Sequence, residues 1–213
     1  MTRVAILVSG SGTTLQALLD AFPSRASRHG VDVVAVICNT PGAGALERAH
    51  RAGVPALLID HRGRDAGAFE TELAAVLDAH RPDLICLAGF LRILSPAFVT
   101  RHPGRMLNTH PALLPAFGGK GMYGERVHRA VLDAGTSVSG CTIHIVNETP
   151  DGGPVVAQVA VPVLPGDTPG RLAARVQAEE RRLYPEVVRW WAAGRLEATA
   201  GRVTWRAPGG SAS

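Results

Sequence analysis

The chain has 213 residues, of which 46% are hydrophobic and 19% charged, with a formal net charge of +4 at pH 7. This length and composition describe a soluble globular protein with one sizeable α/β domain, or at most two small ones. No segment has the apolar length of a membrane helix, and the first residues lack the basic region of a signal peptide, so we expect no membrane partner.

The charges and cysteines indicate the partners and the compartment. Arginines are spread along the chain without a basic run, so a nucleic-acid partner is not indicated, and a small anionic substrate or ordinary surface charge explains the positive bias. Cys38, Cys86 and Cys141 are widely spaced and lie in apolar runs, which predicts reduced, buried thiols in a cytoplasmic protein. The eight histidines show no metal-binding spacing, so no metal site is expected.

Apolar runs alternate with helical patterns through the first hundred residues. The runs cover 4–9, 31–39, 55–60, 83–89 and 105–110, and the helical patterns cover 12–22, 45–53 and 67–80. Continuous β-branched runs separated by helices indicate a parallel sheet that is covered on both faces.

The pattern changes in the second half of the chain. It predicts a helix at 124–135, two antiparallel strands at 137–147 and 154–163, and a long helix at 168–194 that Pro185 breaks or kinks. EATAGRVTW (197–205) predicts a last edge strand, and 207–213 a frayed tail. The expected fold is therefore a single-domain α/β fold over residues 1–200, with an edge strand and tail over 201–213. Its sheet is mainly parallel and twisted, has helices on both faces, and gains antiparallel strands in its C-terminal half.

A glycine-rich loop, Ser-Gly-Ser-Gly-Thr-Thr at 9–14, separates the first strand from the first helix. Free backbone N–H groups and the positive end of the helix dipole favour an anion at such a place. Leu15 stands where a dinucleotide fingerprint needs glycine, and a P-loop lysine is absent. The loop therefore predicts a site for one phosphate, contacted by Gly12, Thr13 and Thr14. A tight turn with a threonine cap is the alternative.

Polar residues also follow the later strands. Asn108 and His110 lie on the same side of a strand that ends at Pro111. Asp151 lies in a proline-glycine turn, where an aspartate is usually a turn former, and His144 lies in a strand, where a histidine is more often a core residue. If Asp151 reaches His110, the carboxylate raises the pKa of the imidazole and fixes its orientation. With Asn108 as a neutral donor, the trio suits a reaction in which a carbonyl becomes a tetrahedral oxyanion and a nitrogen loses its proton.

These motifs resemble the folate-dependent formyltransferases. The segment NTHPALLP (108–115) is similar to that family's Asn-x-His-Pro-Ser-Leu-Leu-Pro signature, and Asp151 in Asp-Gly-Gly-Pro matches its essential aspartate. The resemblance runs from about residue 3 to about residue 196 and includes SGSGTTLQALLD, CNTPGAGALERA, LAGFLRILSP and GTSVSGCTIHIV. It implies a Rossmann-like formyltransferase fold, with ribonucleotide binding in the N-terminal half and the folate and catalytic site completed by the C-terminal half.

The resemblance also implies an activity in purine biosynthesis. A formyl group would pass from 10-formyltetrahydrofolate, the co-substrate, to the amine of glycinamide ribonucleotide, in an enzyme that is a monomer or homodimer. Other formyltransferases that act on methionyl-tRNA, and hydrolases of formyltetrahydrofolate, share this chemistry but normally carry a further domain. A non-catalytic phosphate-binding module is a third alternative, and it would keep the glycine loop without needing the polar trio.

The site residues implied by the resemblance fall into three groups. The catalytic residues would be Asn108, His110 and Asp151, with His144 as a neighbour. The ribonucleotide would be held by Gly12, Thr13, Thr14 and Glu180. The folate would be held by Leu91, Arg92, Ile93, Leu94 and Asn108, with Arg64 as a candidate contact. The segment Gly118 to Gly124 would be either a mobile flap over the site or an ordinary exposed loop.

Overall fold

The computed structural model describes residues 1–23, 30–199 and 202–206. Within these residues the strands are β1 (Thr2–Val8), β2 (Val31–Cys38), β3 (Ala56–Leu58), β4 (Leu84–Leu87), β5 (Met106–His110), β6 (Val138–Ile145), β7 (Val155–Pro162), β8 (Leu196–Thr199) and β9 (Arg202–Trp205). The helices are α1 (Thr13–Ala21), α2 (Gly44–Arg51), α3 (Ala66–His80), α4 (Pro96–Val99), α5 (Glu125–Asp133) and α6 (Pro169–Ala192).

The main sheet has seven strands in the order β3-β2-β1-β4-β5-β6-β7. Strands β1 to β5 are parallel, β6 is antiparallel to β5, and β7 is antiparallel to β6. The predicted sheet, mainly parallel with antiparallel strands in the C-terminal half, is therefore confirmed. The strand order changes direction between β1 and β4, and ligands of open α/β sheets bind at the carboxyl ends of the strands beside such a point.

Side-chain alternation divides the core between the two faces of the sheet. Val4 and Ile6 of β1 pack in the cluster that contains α1, α2, α5 and α6, whereas Ala5 and Leu7 pack in the cluster that contains α3 and α4. Because both faces are covered, the parallel strands are apolar throughout rather than alternating with polar residues. Cys38, Cys86 and Cys141 are all buried, as predicted.

Of the break or kink predicted at Pro185, the break was wrong, and a kink stays a prediction. Helix α6 continues through Pro185, which is buried. A proline removes one hydrogen bond from a helix interior, but the neighbouring Tyr184, Val187 and Val188 are also buried in the core. Tertiary packing of this apolar face stabilises the helix against the loss of one bond.

The predicted edge strand at 197–205 was also wrong. Strands β8 and β9 pair antiparallel with each other, with Thr199 opposite Arg202, and form a separate two-stranded sheet. The chain thus reverses direction inside the segment that was expected to be one strand. The predicted tail at 207–213 lies outside the described residues.

The four-residue helix α4 was not predicted, because four residues cannot show a helical period. It begins with a local signal, since the Ser95 side chain accepts a hydrogen bond from the Phe98 N–H and Pro96 occupies the first turn. None of the helices in the described part of the chain is long and apolar enough to cross a membrane.

Candidate active site

Two adjoining cavities open at the carboxyl ends of the central strands. The larger, of about 550 Å³, is lined by the glycine loop, the segment after β4, the end of β5, Gly119, residues 121–125 and one side of α6. The smaller, of about 110 Å³, is lined by apolar residues that include Leu94, Val99 and Val146. Both cavities are lined by Asn108 and Asp151. These two polar side chains therefore lie where the cavities meet.

The glycine loop forms an open helix N-terminus on the larger cavity. Gly12 is the N-cap of α1 with φ of 76°, and no side chain caps the helix. The chain therefore does not form the alternative, a turn capped by threonine. The first amides of α1 remain available to an anion. Arg48 fixes the loop from α2, since its Nε donates to the Ser11 carbonyl at 2.8 Å and its Nη1 to Gln16 Oε1 at 3.0 Å.

Asn108 and His144 lie directly opposite each other on β5 and β6. The His144 Nδ1 lies 3.0 Å from the Ile145 carbonyl. The Asn108 Nδ2 lies 3.0 Å from His144 Nε2. The Asn108 amide carries two N–H groups, and this contact engages at most one of them, so an N–H is left for a ligand.

Asp151 lies in the left-handed backbone region, with φ of 55°, and its carboxylate faces both imidazoles. Its Oδ2 is 3.4 Å from His110 Nδ1, its Oδ1 is 3.6 Å from His144 Nε2, and the Gly119 N–H donates to Oδ2 at 2.9 Å. Burial acts to raise the pKa of the Asp151 carboxyl, but His144, His110 and the Gly119 N–H together hold it below its ordinary value of 3.8. Asp151 is therefore a carboxylate at neutral pH.

His110 is buried at the end of β5, with both ring nitrogens engaged. Its Nε2 donates to the Phe117 carbonyl at 2.8 Å, and its Nδ1 faces Asp151. Burial lowers the pKa of His110 below 6.5, outweighing the Asp151 charge and the Phe117 carbonyl, which both act to raise it. Asp151 therefore acts on this pKa in the expected direction, but in the unliganded protein burial outweighs it.

Glu180 is a buried carboxyl group in the wall of the larger cavity. Its side chain projects from α6, the residue is only 6% exposed, and its Oε1 accepts a hydrogen bond from Thr109 Oγ1 at 2.9 Å. Burial raises the pKa of Glu180, although Thr109 and the charge of Arg181 act to lower it. A second acidic group thus faces the ligand space, on the same cavity as the glycine loop.

The loop that follows β4 carries exposed apolar side chains at the mouth of the site. Leu91 is 59% exposed and Ile93 58% exposed, and both line the larger cavity. The Leu91 N–H donates to Ser9 Oγ at 2.8 Å, and the Arg92 guanidinium lies 4.6 Å above the Phe69 ring. Exposed apolar groups at a cavity mouth are typical of a ligand-binding surface.

Arg64 is not brought to this site. Its Nη1 pairs with Glu72 Oε2 at 2.6 Å and its Nη2 donates to the Ala68 carbonyl at 3.2 Å, and Arg64 lines neither cavity. The segment Gly118 to Gly124 does reach the larger cavity, which Gly119 and residues 121–124 line. Its first part is held by the Gly119–Asp151 bond, and motion of the segment stays a prediction.

Sequence reasoning missed several contributors to the site. His128 of α5 is buried and lines the larger cavity, and its Nδ1 has no hydrogen-bond partner among the described residues. Its place in the helical period, three residues before the buried Val131, was the available signal. The backbone groups of Phe117 and Gly119 gave no signal, because every residue has them. Within the described ranges, no group of three or more His, Cys, Asp or Glu side chains is placed to hold a metal ion.

Comparison with known proteins gives concordant matches. Residues 2–188 match the family model described as formyl transferase. The phosphoribosylglycinamide formyltransferase of Escherichia coli (strain K12) is 42% identical over 196 residues, which cover 92% of this chain and 89% of that protein. The crystal structure of glycinamide ribonucleotide transformylase 1 from Symbiobacterium toebii has a TM-score of 0.87 and 45% identity, over 96% of this chain and 94% of the other. The trifunctional purine biosynthetic protein adenosine-3 of Bos taurus is 42% identical over 205 residues, 95% of this chain, but the match spans only 20% of that longer protein.

Proposed function

The chain belongs to the formyl transferase family, and from this premise we propose that it transfers the formyl group of 10-formyltetrahydrofolate to the amine of glycinamide ribonucleotide, in purine biosynthesis. The observation that carries the proposal is the meeting of two cavities at Asn108 and Asp151, beside His110. Two substrates in these cavities would present their reacting atoms to the same polar groups. The proposed partners are small molecules only, and the enzyme is a cytoplasmic monomer or homodimer.

The larger cavity suits the ribonucleotide. Its phosphate would accept hydrogen bonds from the open amides of Gly12, Thr13 and Thr14, where the helix dipole also favours an anion. Glu180 would accept hydrogen bonds from the sugar hydroxyls. The glycinamide amine would then extend towards the end of β5.

The loop 91–94 and the smaller cavity suit the flat folate ring system. Leu94 and Val146 provide apolar walls, Arg92 and Ile93 line both cavities, and Asn108 closes the inner end. Loop amides beside apolar side chains provide the combination that a heteroaromatic ligand needs. Arg64 would contact the folate only after leaving Glu72, so it is the weakest member of this group.

The proposed reaction is direct attack without a covalent enzyme intermediate. The ribonucleotide amine forms a bond to the formyl carbon, and the carbonyl electrons move to the oxygen, which becomes an oxyanion. The free N–H of Asn108 donates to this oxygen, and His110 donates from Nε2 after exchanging the Phe117 carbonyl for it. Asp151 stabilises the imidazolium as negative charge develops nearby.

Proton transfer completes the exchange. The attacking nitrogen loses a proton, the folate nitrogen gains one, and the bond between the formyl carbon and the folate nitrogen breaks. Asp151 and His144, whose Oδ1 and Nε2 are 3.6 Å apart, would relay the proton between the two nitrogens, directly or through water. The products are formylglycinamide ribonucleotide and tetrahydrofolate.

One assay separates this function from its alternatives. The protein is mixed with 10-formyltetrahydrofolate alone, with glycinamide ribonucleotide, or with methionyl-tRNA, and the release of tetrahydrofolate is followed. Release only with the ribonucleotide is expected. Release without an acceptor would indicate a hydrolase, release with the tRNA a different acceptor, and no release under any condition a binding module.

A further inference from the structure

Thr109 connects the catalytic strand to the wall of the larger cavity. It lies between Asn108 and His110 on β5, and its side chain projects to the opposite side of the strand from theirs. There its Oγ1 donates to Glu180 Oε1 at 2.9 Å, across 71 positions of sequence. Among the described residues, Thr109 is the one protein group that donates a hydrogen bond to the Glu180 carboxyl group.

The neighbours of Glu180 cannot replace this donor. The Tyr184 hydroxyl is directed at the carbonyls of Leu107, at 2.9 Å, and Leu87, at 3.3 Å. The Cys141 thiol on β6 stays neutral, because burial raises its pKa to about 12, and a thiol is a weak donor. Arg181 acts on the carboxyl group through its charge only.

A carboxylate has about four lone-pair sites, of which Thr109 uses one. The remaining sites serve a ligand in the cavity that Glu180 lines. A carboxylate accepts from hydroxyl groups, and the glycine loop on the same cavity accepts an anion. The pair of features matches a sugar phosphate rather than a phosphate alone.

We propose that Thr109 is a positioning residue for sugar recognition: its hydrogen bond to Glu180 holds the carboxylate where it accepts from the hydroxyl groups of a pentose phosphate whose phosphate lies on the glycine loop. The identity of the pentose phosphate as part of the ribonucleotide rests on the proposed function. The role of the Thr109–Glu180 bond does not depend on the formyl chemistry.

The test uses Thr109→Val, which keeps the β-branched shape and removes the donor. We expect the KM for glycinamide ribonucleotide to rise about tenfold, the size of one lost hydrogen bond to a charged group. The kcat and the KM for 10-formyltetrahydrofolate stay within twofold of the parent, and Thr109→Ser restores the ribonucleotide KM. Thr100→Val, which removes an exposed hydroxyl bonded to the Ala97 carbonyl at 3.2 Å, is the matched control and changes nothing.

Direct binding separates the sugar from the phosphate. Calorimetric titration of the parent and Thr109→Val with ribose 5-phosphate and with inorganic phosphate should show weaker binding of the sugar phosphate only. The inference would be overturned if Thr109→Val bound both probes equally more weakly. It would also be overturned if the ribonucleotide KM did not change, or if the KM values of both substrates rose equally. Thr109→Ala provides the same comparison if the valine variant does not fold. A parent protein without transferase activity would refute the proposed function, while the ribose 5-phosphate titration would still decide the role of Thr109.

Discussion

Replacing Asp151 with asparagine tests the proposed chemistry most directly. The change keeps the size of the side chain and one acceptor oxygen for the Gly119 N–H, and it removes the negative charge that faces His110 and His144. The neutral amide no longer stabilises the imidazolium form of His110 in the transition state. We therefore expect kcat to fall while both KM values and the fold are retained.

The distance between the two groups sets the size of the effect. At the observed 3.4 Å between His110 Nδ1 and Asp151 Oδ2, an effective dielectric constant of about 20 gives an attraction of about 5 kcal/mol. This is an upper limit, because the Asp151 side chain is 15% exposed and solvent screens part of the charge. Losing one preorganised group at an oxyanion typically costs about 2.7–4 kcal/mol, so the expected loss in kcat is about a hundredfold to a thousandfold.

The measurement is steady-state and single-turnover kinetics of tetrahydrofolate release. Asp167→Asn is the matched control. Like Asp151, Asp167 accepts a hydrogen bond from a backbone N–H, that of Leu164 at 2.9 Å, and faces a basic side chain, Arg175 at 2.9 Å. Unlike Asp151, it lines neither cavity. The control should lose stability and keep its kcat. Turnover of Asp151→Asn within a few-fold of the parent would refute the argument, and so would an equal loss of kcat in the control.

Three further predictions follow from other contacts. Arg48→Met removes the guanidinium that holds the glycine loop and should raise the ribonucleotide KM about threefold to tenfold in kinetic assays. Arg51→Met removes an exposed ion pair on the same helix and should leave this KM unchanged. Equal effects of the two variants would contradict the idea that Arg48 holds the loop. Gly153→Ala places a Cβ against a backbone carbonyl of β6 and should lower the free energy of unfolding by about 1–3 kcal/mol. Gly170→Ala, in open space, should not lower it, and similar thermal melting of both variants would show that the turn adapts. Burial lowers the pKa of His102 and two other histidines below 6.5, so the unfolded state binds more protons and the free energy of unfolding should fall as the pH drops below about 6.5. His102→Gln should make that fall shallower in denaturant titrations between pH 7 and 5, and an unchanged slope would show that His102 does not contribute.

The parallel sheet was predictable because its determinants are local. Buried runs such as 4–9 and 31–39, separated by helical patterns, identify strands covered on both faces. Strand alternation alone put Asn108 and His110 on one side of β5. The Asp151 turn was equally visible, but its distance from His110 was not, because that contact joins residues 41 positions apart through the packing of β6 against β5.

The errors come from interactions that only the folded chain creates. Pro185 was expected to break or kink the last long helix, which tertiary packing keeps unbroken. The charge of Asp151 raises the pKa of His110 as expected, but burial, which the sequence does not show, outweighs it. Arg64 was only a candidate folate contact, and the structure pairs it with Glu72 on the following helix, so its role stays a prediction.

The contacts that Phe117 and Gly119 make with His110 and Asp151 determine which mutations of this segment would reveal its role. The Phe117 carbonyl accepts a hydrogen bond from His110, and the Gly119 N–H donates one to Asp151. The main chain therefore holds both side chains in place. Replacing Phe117 with alanine leaves its carbonyl in place and therefore underestimates the contribution of this position. Deletions, insertions, or a proline at position 119, which lacks the N–H, are the changes that would expose it.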